Sequence, residues 1–238
     1  MTSLIRILFL PLLITAPLLA QEAPPPAPVS LADLAGKADL IMLAQVKDTD
    51  YFYRHDYPVS GSAYLKPLIH YKGGKPADIV EVYEKGLHVN ECYFPNPSVF
   101  EEGRRYLLFL RQDPDQPERY RGLAEGCALD VLVDEKNSYI LRYPASGISL
   151  SDPLEALAVD VVFGDPYAFE DEESLTSTER NILLDRGLIK TIESPGKQAG
   201  PGALGVPQSR SPARQWIYAK GIDISTIRKL MGPEAVKQ

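Results

Sequence analysis

The stretch HVNECYFPNPSVFEEGRRYLLFLR, residues 88–111, carries one of the two cysteines of the chain and ends in a dense apolar run. The run RYLLFLR (105–111) follows the turn residues of FPNPS (94–98), and its leucine and aromatic content is typical of a buried strand. Cys92 stands just ahead of that strand. The stretch therefore predicts a core strand with a cysteine near its start, and raises the question of what pairs with Cys92.

Runs of the same kind lie on both sides, separated by turns rich in Gly, Pro, Asp and Asn. They are LIMLAQV (40–46), SAYLKPLIHYK (62–72), DIVEVYEK (78–85), YRGLAEGCALDVLV (120–133) and SYILRYP (138–144). Strands at this spacing, without long helical patterns between them, predict a mainly β protein built as an antiparallel barrel or sandwich. Pro67 cannot donate to a strand ladder, so it predicts an edge position or a bulge in its run.

Helical signals flank the strands. Ser30 heads the stretch SLADLAGKAD (30–39) and predicts the N-cap of a short helix. Thr176 and Glu179 have the spacing of a capping box, and Gly187 is a plausible end of the helix they begin. Asp223 is a candidate cap for a last short helix.

The first twenty residues have the layout of a secretory signal peptide. MTSLIR carries one Arg, ILFLPLLITAPLLA is apolar, and the polar QEAPPPAP follows. The apolar run is shorter than the about 20 residues that a membrane-spanning helix needs, so no membrane span is predicted. Cleavage after Ala20 would leave Gln21 first rather than a cysteine, so no lipid anchor is predicted. We expect an exported protein, periplasmic or extracellular.

Composition and cysteine count limit the partners further. The formal net charge of −7 gives no general attraction to nucleic acid, so no nucleic-acid partner is expected.

Cys92 and Cys127 are the only cysteines, and in an oxidising compartment they predict one disulfide, worth roughly 3–4 kcal/mol for a loop of about 36 residues. His88 precedes Cys92 by four residues, but no second Cys-His pair exists, so neither a metal nor another cofactor is expected.

Two stretches of the sequence match patterns that occur in cofactor-binding or catalytic sites. GPGALG (200–205) fits G-x-G-x-x-G, but prolines flank it and no strand leads into it, so linker composition explains the match. His55 lies near Ser60 and Ser62 in RHDYPVSGS, which leaves a hydrolase using His55 as a remote hypothesis. A polar loop is the favoured interpretation, because triad geometry is spatial rather than sequential.

The most suggestive surface stretch is DTDYFYRHDYPVSGSAY, residues 48–64, which we expect to be a loop joining the first two strands. Aromatic side chains beside an arginine are typical of binding hot spots. The alternative is that several of them continue the strand alternation and pack inward. The candidate binding residues are Tyr53, Arg54, His55 and Tyr57.

Taken in order, several of these pieces resemble a known family. They are SLADLAGKADLIMLAQV, a strand ending in YKG, DIVEVY, Cys92, FEEGRRYLLFL and the Gly-Cys pair at 126–127. The order resembles the bacterial relatives of the netrin-like domain, the family that includes tissue inhibitors of metalloproteinases. The resemblance covers about 100 residues and implies a five-stranded OB-type barrel with a helix and disulfides, in which Cys92 and Cys127 are disulfide positions.

One departure from the family matters for function. Its inhibitors use an N-terminal Cys-x-Cys to bind the zinc of a protease, whereas no cysteine precedes Cys92 here. The resemblance therefore assigns the zinc-binding role to no residue of this chain.

The prediction for the whole chain is a mainly β protein: a five- to six-stranded OB-type antiparallel barrel with a short N-terminal helix and a small helical C-terminal extension. The predicted segments are a signal peptide (1–20), a proline-rich lead (21–29), the netrin-like barrel (30–150), a helical extension (151–193), a flexible linker (194–212) and a C-terminal docking segment (213–238). We expect a non-enzymatic binding module for an unknown protein or glycan, with a loop-based inhibitor of a secreted enzyme as the alternative.

Overall fold

The computed structural model describes residues 27–55, 57–85, 92, 99–171, 175–193 and 214–233. The α-helices in these ranges are α1 (Leu31–Lys37), α2 (Ser177–Asp185) and α3 (Ile224–Leu230). The first seven strands are β1 (Leu40–Arg54), β2 (Tyr57–Lys72), β3 (Val80–Glu84), β4 (Arg105–Gln112), β5 (Tyr120–Gly122), β6 (Ala128–Val133) and β7 (Tyr139–Tyr143). The remaining strands are β8 (Val159–Asp160), β9 (Phe169–Asp171), β10 (Ile189–Glu193), β11 (Arg214–Tyr218) and β12 (Lys220–Asp223). Two 3-10 helices cover Leu154–Leu157 and Pro166–Ala168.

Five strands close into a barrel. Going around it, β1 pairs with β2, β2 with β3, β3 with β5, β5 with β4, and β4 again with β1. The predicted mainly β, OB-type barrel is confirmed. One pairing differs from the expected antiparallel arrangement: β3 and β5 run parallel, in register at Val82 and Tyr120, so the barrel is mixed.

The first part of β1, up to Val46, and the central residues of β4 are buried on both faces. Alternate residues of β1, such as Met42, point into the barrel interior, and the residues between them, such as Leu43, join an outer core. In β4, Leu108 and Phe109 divide in the same way. A strand covered on both faces has a continuous apolar sequence, which is why LIMLA and YLLFL show no alternation.

The outer core is covered by α1 and α3. Ser30 caps α1, because its Oγ accepts the N–H of Asp33 at 3.0 Å. The face of α1 that is buried consists of Leu31, Leu34 and Ala35, which belong to the outer core together with Ile227 of α3. The predicted N-cap and helix are confirmed.

The barrel sheet continues beyond the barrel through β6, β7, β12 and β8, in that order. The run 120–133, predicted as one strand, forms β5 and β6 instead. The chain turns between them, and Gly126 has a φ of 115° there, in the left-handed region that favours glycine. A sequence pattern of apolar residues cannot reveal such a turn when the residues on either side are buried.

The predicted disulfide is confirmed. Cys92 and Cys127 are bonded, with their Cα atoms 5.1 Å apart. The bridge packs directly on the backbone of Gly122, where an added Cβ would lie 2.8 Å from Sγ of Cys92. The disulfide therefore fastens residue 92 to the turn between β5 and β6.

The chain after residue 150 contains more than helices. One α-helix, α2, begins with the predicted capping box: the N–H of Thr176 donates to Glu179 at 3.0 Å, and Thr176 Oγ1 accepts the N–H of Glu179. Around it, β9, β11 and β10 form a three-stranded antiparallel sheet. Trp216 of β11 is 4% exposed and packs in a third apolar cluster with Leu132 and Phe163.

Several predicted segments lie outside the described residues. These are the signal peptide (1–20), most of the proline-rich lead, the linker (194–212) with its GPGALG match, and the end of the C-terminal segment. Within the described ranges, none of the helices has both the length and the apolar character that crossing a membrane requires.

Candidate functional site

The β1–β2 hairpin is longer than the barrel needs. The ladder between β1 and β4 ends at Gln45, and the ladder between β2 and β3 ends at Gly61. Among the described strands, none other than β1 and β2 forms ladder pairs with the end of the hairpin, residues 52–60; we call it the hairpin tip. It extends about 10 Å past the β3 ladder.

The stretch 48–64, expected to be a loop, thus forms the far part of two strands. β1 reaches Arg54 and β2 begins at Tyr57, so that two residues connect them. The residues of β1 after Val46 are mostly exposed and do not alternate between apolar and polar types, so their sequence resembles that of a loop. Register shifts after Val46 and after Phe52 bend this part of the ladder.

Gly61 stands where the hairpin bends. Its φ is 154°, and a Cβ at this position would collide with the carbonyl oxygen of Asp50 in the facing strand. Only glycine permits this close approach. The position of the hairpin tip relative to the barrel therefore depends on Gly61.

The aromatic side chains of the hairpin divide into two groups. Tyr51 packs against the barrel interior, and burial together with the carboxylate of Glu84 raises the pKa of its hydroxyl. Phe52 is 68% exposed and Tyr53 is 50% exposed. The alternative of inward packing therefore applies to Tyr51, while Phe52 and Tyr53 lie at the surface.

The remaining candidate residues lie at the turn. Arg54 and His55 are exposed, and His55 has a positive φ of 57°. Tyr57 pairs with Arg54 in the ladder, but its side chain lies outside the described structure, as does Asp56. The hairpin tip thus brings together Phe52, Tyr53, Arg54 and His55.

Of the serines considered for hydrolysis, Ser62 lies away from His55 and its hydroxyl is already engaged. Ser62 lies five positions along β2 from Tyr57, roughly 17 Å from the turn that carries His55. The hydroxyl of Ser62 is buried and donates to Glu81 at 2.6 Å. In the described ranges no three His, Cys, Asp or Glu side chains cluster in a way that could hold a metal ion.

A second polar feature, which sequence reasoning missed, is a buried charged seam between the barrel sheet and the three-stranded sheet. It consists of Arg104, Asp130, Arg142, Glu170 and Tyr218. Asp130 Oδ2 lies 3.2 Å from both Arg104 Nη1 and Arg142 Nε, and Arg142 Nη1 lies 3.6 Å from Glu170 Oε1. The guanidinium of Arg142 also lies over the ring of Tyr218, whose hydroxyl donates to Glu170.

In the charged seam, burial disfavours the charged forms of the side chains, whereas the opposite charges nearby favour them. Burial raises the pKa of Asp130, and the guanidiniums of Arg142 and Arg104 offset only part of this effect. Burial works to lower the pKa of Arg142, but the neighbouring carboxylate of Asp130 raises it overall. Burial also raises the pKa of Tyr218 to about 12. Each charge of the seam faces an opposite one, and these ion pairs join the two sheets.

A signal for the seam was present in the sequence. Asp130 interrupts the apolar run ALDVLV and Arg142 interrupts YILRY, at positions where the strand is otherwise buried. Opposite charges inside two neighbouring core strands indicate a buried pair. The other three members, Arg104, Glu170 and Tyr218, could not be found, because they come from other parts of the chain.

Comparison of the chain with models of known protein families, with curated proteins and with solved structures found no match.

Proposed function

We propose that the protein is an exported, non-catalytic binding module that contacts a protein or a glycan through the hairpin tip, and that its barrel is a distant form of the netrin-like domain. One observation carries the proposal. Phe52 and Tyr53 are 68% and 50% exposed at the end of a hairpin whose other end is built into the barrel.

The chemistry of the hairpin tip suits recognition rather than catalysis. Aromatic rings supply large contact areas at low entropic cost, and the neighbouring Arg54 can pair with a carboxylate or stack on a ring. OB-type barrels often bind ligands near the connection between their first two strands. Because the ladder holds the strands in place, little ordering entropy is lost on binding.

Export is supported by two features. The first twenty residues have the composition of a signal peptide, and the Cys92–Cys127 disulfide is compatible with an oxidising compartment.

Inhibition of a secreted enzyme is a second candidate. The hairpin tip is only two strands wide and ends in a connection of two residues, a shape that can enter an active-site cleft. An inhibitor of this kind would act through Tyr53 and Arg54 and would not need an N-terminal cysteine. A hydrolase using His55 is not favoured, because the buried Ser62 hydroxyl is already donated to Glu81.

The test is affinity capture from the exported protein fraction, together with a glycan array. Phe52→Ala and Tyr53→Ala are compared with Phe169→Ala, which truncates a phenylalanine that is 38% exposed on β9. We expect a partner that wild type and Phe169→Ala retain and that both tip variants lose. A partner retained by every variant would refute the hairpin tip as the contact surface.

A further inference from the structure

A groove of about 670 Å³ lies between the last part of β2 and the segment 73–79, which connects β2 to β3. Its size falls within the range of about 300–1,000 Å³ that is usual for ligand sites. Its lining includes Lys66, Pro67, Leu68, Lys75, Pro76 and Ile79. None of the contacts described for the hairpin tip or the charged seam involves these residues.

The groove exists because the ladder between β2 and β3 stops early. Its last pair is Leu65 with Val80. Pro67 cannot donate a hydrogen bond, and the register with β1 skips Leu68, which makes a bulge. Pro76 removes a donor from the returning segment as well. Among the described strands, the part of β2 beyond Leu65 is paired only with β1, so residues 66–72 have no described strand on the side away from β1.

The charge of the groove is opposite to that of the protein. Lys66 and Lys75 are exposed, and neither has an ion-pair partner in the described structure, while Asp78 is the one carboxylate of the lining. Lys72 is already engaged, because its Nζ donates to the carbonyl oxygens of Ala35 and Gly36. The formal charge of the chain is −7, so a lining with two free lysines and one aspartate is a local positive region.

The groove is also apolar between its charges. Ile79 is 44% exposed, and Leu68 and Pro67 are half-buried beside it. A simple polyanion would use the lysines but would leave this surface uncovered. An extended peptide can use all three features, since it offers main-chain groups to an open strand edge, apolar side chains to one face, and carboxylates to the lysines.

We propose that this groove binds an extended acidic peptide segment of another protein, which adds as a strand along residues 66–72 of β2. Carboxylates of the segment pair with Lys66 and Lys75, and an apolar side chain between them packs against Leu68 and Ile79. The site is separate from the hairpin tip and does not depend on the function proposed for it.

The test measures binding of short fluorescent peptides by anisotropy. The first probe alternates glutamate and valine; the second replaces its glutamates by lysines, the third replaces its valines by prolines, and the fourth contains glutamate only. We expect the first probe to bind at least about tenfold more tightly than the other three, because each of them lacks one of the three features. Equal binding of the glutamate-only probe would reduce the groove to a weak attraction for polyanions and overturn the proposal.

Matched variants locate the site. Lys66→Glu together with Lys75→Glu should weaken binding of the first probe by about tenfold or more, because attraction becomes repulsion. The control pair Lys190→Glu and Lys229→Glu makes the same change in net charge at exposed lysines of β10 and α3, and should change affinity by less than about twofold. If the control pair weakens binding as much as the groove pair does, the change in net charge explains the loss of affinity, and the proposed site is wrong.

A second measurement reports the added strand directly. Hydrogen exchange at residues 68–72 should slow when the first probe is bound, whereas exchange at the hairpin tip should not change. Phe52→Ala should bind the probe as wild type does, so that failure here and failure of the hairpin tip as a contact surface can be told apart. Binding without protection of β2 would also overturn the proposal.

Discussion

Arg142 on β7 places its Nε 3.2 Å from Oδ2 of Asp130 on β6, and both side chains are more than nine-tenths buried. Arg104 reaches the same oxygen atom from the start of β4. Two guanidiniums thus share one carboxylate at the point where the barrel sheet meets the three-stranded sheet. Removing that carboxylate would leave two buried positive charges side by side.

We therefore expect Asp130→Ala to lower the free energy of unfolding by about 3–5 kcal/mol. The control is Asp160→Ala, which removes the carboxylate of a surface pair with Lys220 and should lower it by less than about 1 kcal/mol. Urea unfolding of both variants measures the difference. Equal effects would show that the seam contributes no more than a surface pair.

We expect opposite effects on stability and binding when two nearby aromatic residues of the hairpin, Tyr51 and Tyr53, are replaced. Tyr53→Ala should leave thermal stability nearly unchanged and weaken partner binding by about 1–2 kcal/mol. Tyr51→Ala should lower stability by about 2–4 kcal/mol, because it removes a ring packed against the barrel interior. Thermal melts need no partner and test the first half of the prediction at once. Equal melting temperatures for the two variants would contradict the division of the hairpin into a packed part and an exposed tip.

Gly61 and Gly36 allow a matched comparison, because replacement by alanine adds the same methyl group at a crowded and at an open position. Gly61→Ala should destabilise the protein by about 1–3 kcal/mol and speed hydrogen exchange near residue 50, because the new Cβ collides with the Asp50 carbonyl. Gly36→Ala adds the same methyl group in α1 with no atom within 4 Å, and should stabilise by about 0.5–1 kcal/mol. A neutral Gly61→Ala would show that the hairpin bends without this close approach.

Acid sensitivity should depend in part on Asp113, which is almost fully buried in the connection after β4. Burial alone would raise its pKa, but the N–H of Asp115 and the side chain of Arg119 hold it below its ordinary value. A depressed folded-state pKa stabilises the protein above the unfolded pKa of about 3.9, and this stabilisation is lost as the pH falls through the folded pKa. Asp113→Asn should thus be less stable than wild type at pH 6.

The stability difference between Asp113→Asn and wild type should shrink as the pH falls below about 4. Unfolding free energies measured from pH 6 to pH 2 test this. Glu118→Gln, which removes the charge of an exposed glutamate in the same connection, is the control. A difference for Asp113→Asn that widens on acidification would reverse the assigned sign.

The Cys92–Cys127 disulfide should stabilise the protein, because it closes a long loop of the chain. Cys92→Ser with Cys127→Ser should lower the free energy of unfolding by roughly 3–4 kcal/mol, and a reducing agent should lower that of wild type by a similar amount. The double variant itself should not respond to the reducing agent. Sensitivity of the variant to reduction would point to an effect other than the disulfide.

Local signals in the sequence were sufficient for much of the fold. The apolar runs around residues 40–46 and 105–111 predicted the two strands that are buried on both faces, and Ser30 predicted the start of α1. Pro67 predicted an edge position or a bulge, and the register of β2 with β1 contains a bulge there. These features succeed because each depends on neighbours in sequence or on the burial of a whole strand.

The features that failed depend on distant parts of the chain. The part of β1 after Val46 is mostly exposed and has no alternation of apolar and polar residues, so β1 appeared to end at Val46. The seam unites Asp130 with Glu170, and no local pattern indicates that these carboxylates meet around Arg142. The groove exists through a ladder that stops at Leu65, which depends on the register of three strands.

The position of β12 has a consequence for the order in which the protein can be completed. This strand lies between β7 and β8 in the sheet, although it is made from residues 220–223, far along the chain from β7. While the chain is being synthesised, the barrel strands are available first, and β7 presents an unpaired edge until residues 220–223 follow. Such an edge can pair with a neighbouring chain. Truncation before residue 220 should consequently favour aggregation during synthesis, even though every barrel strand is present.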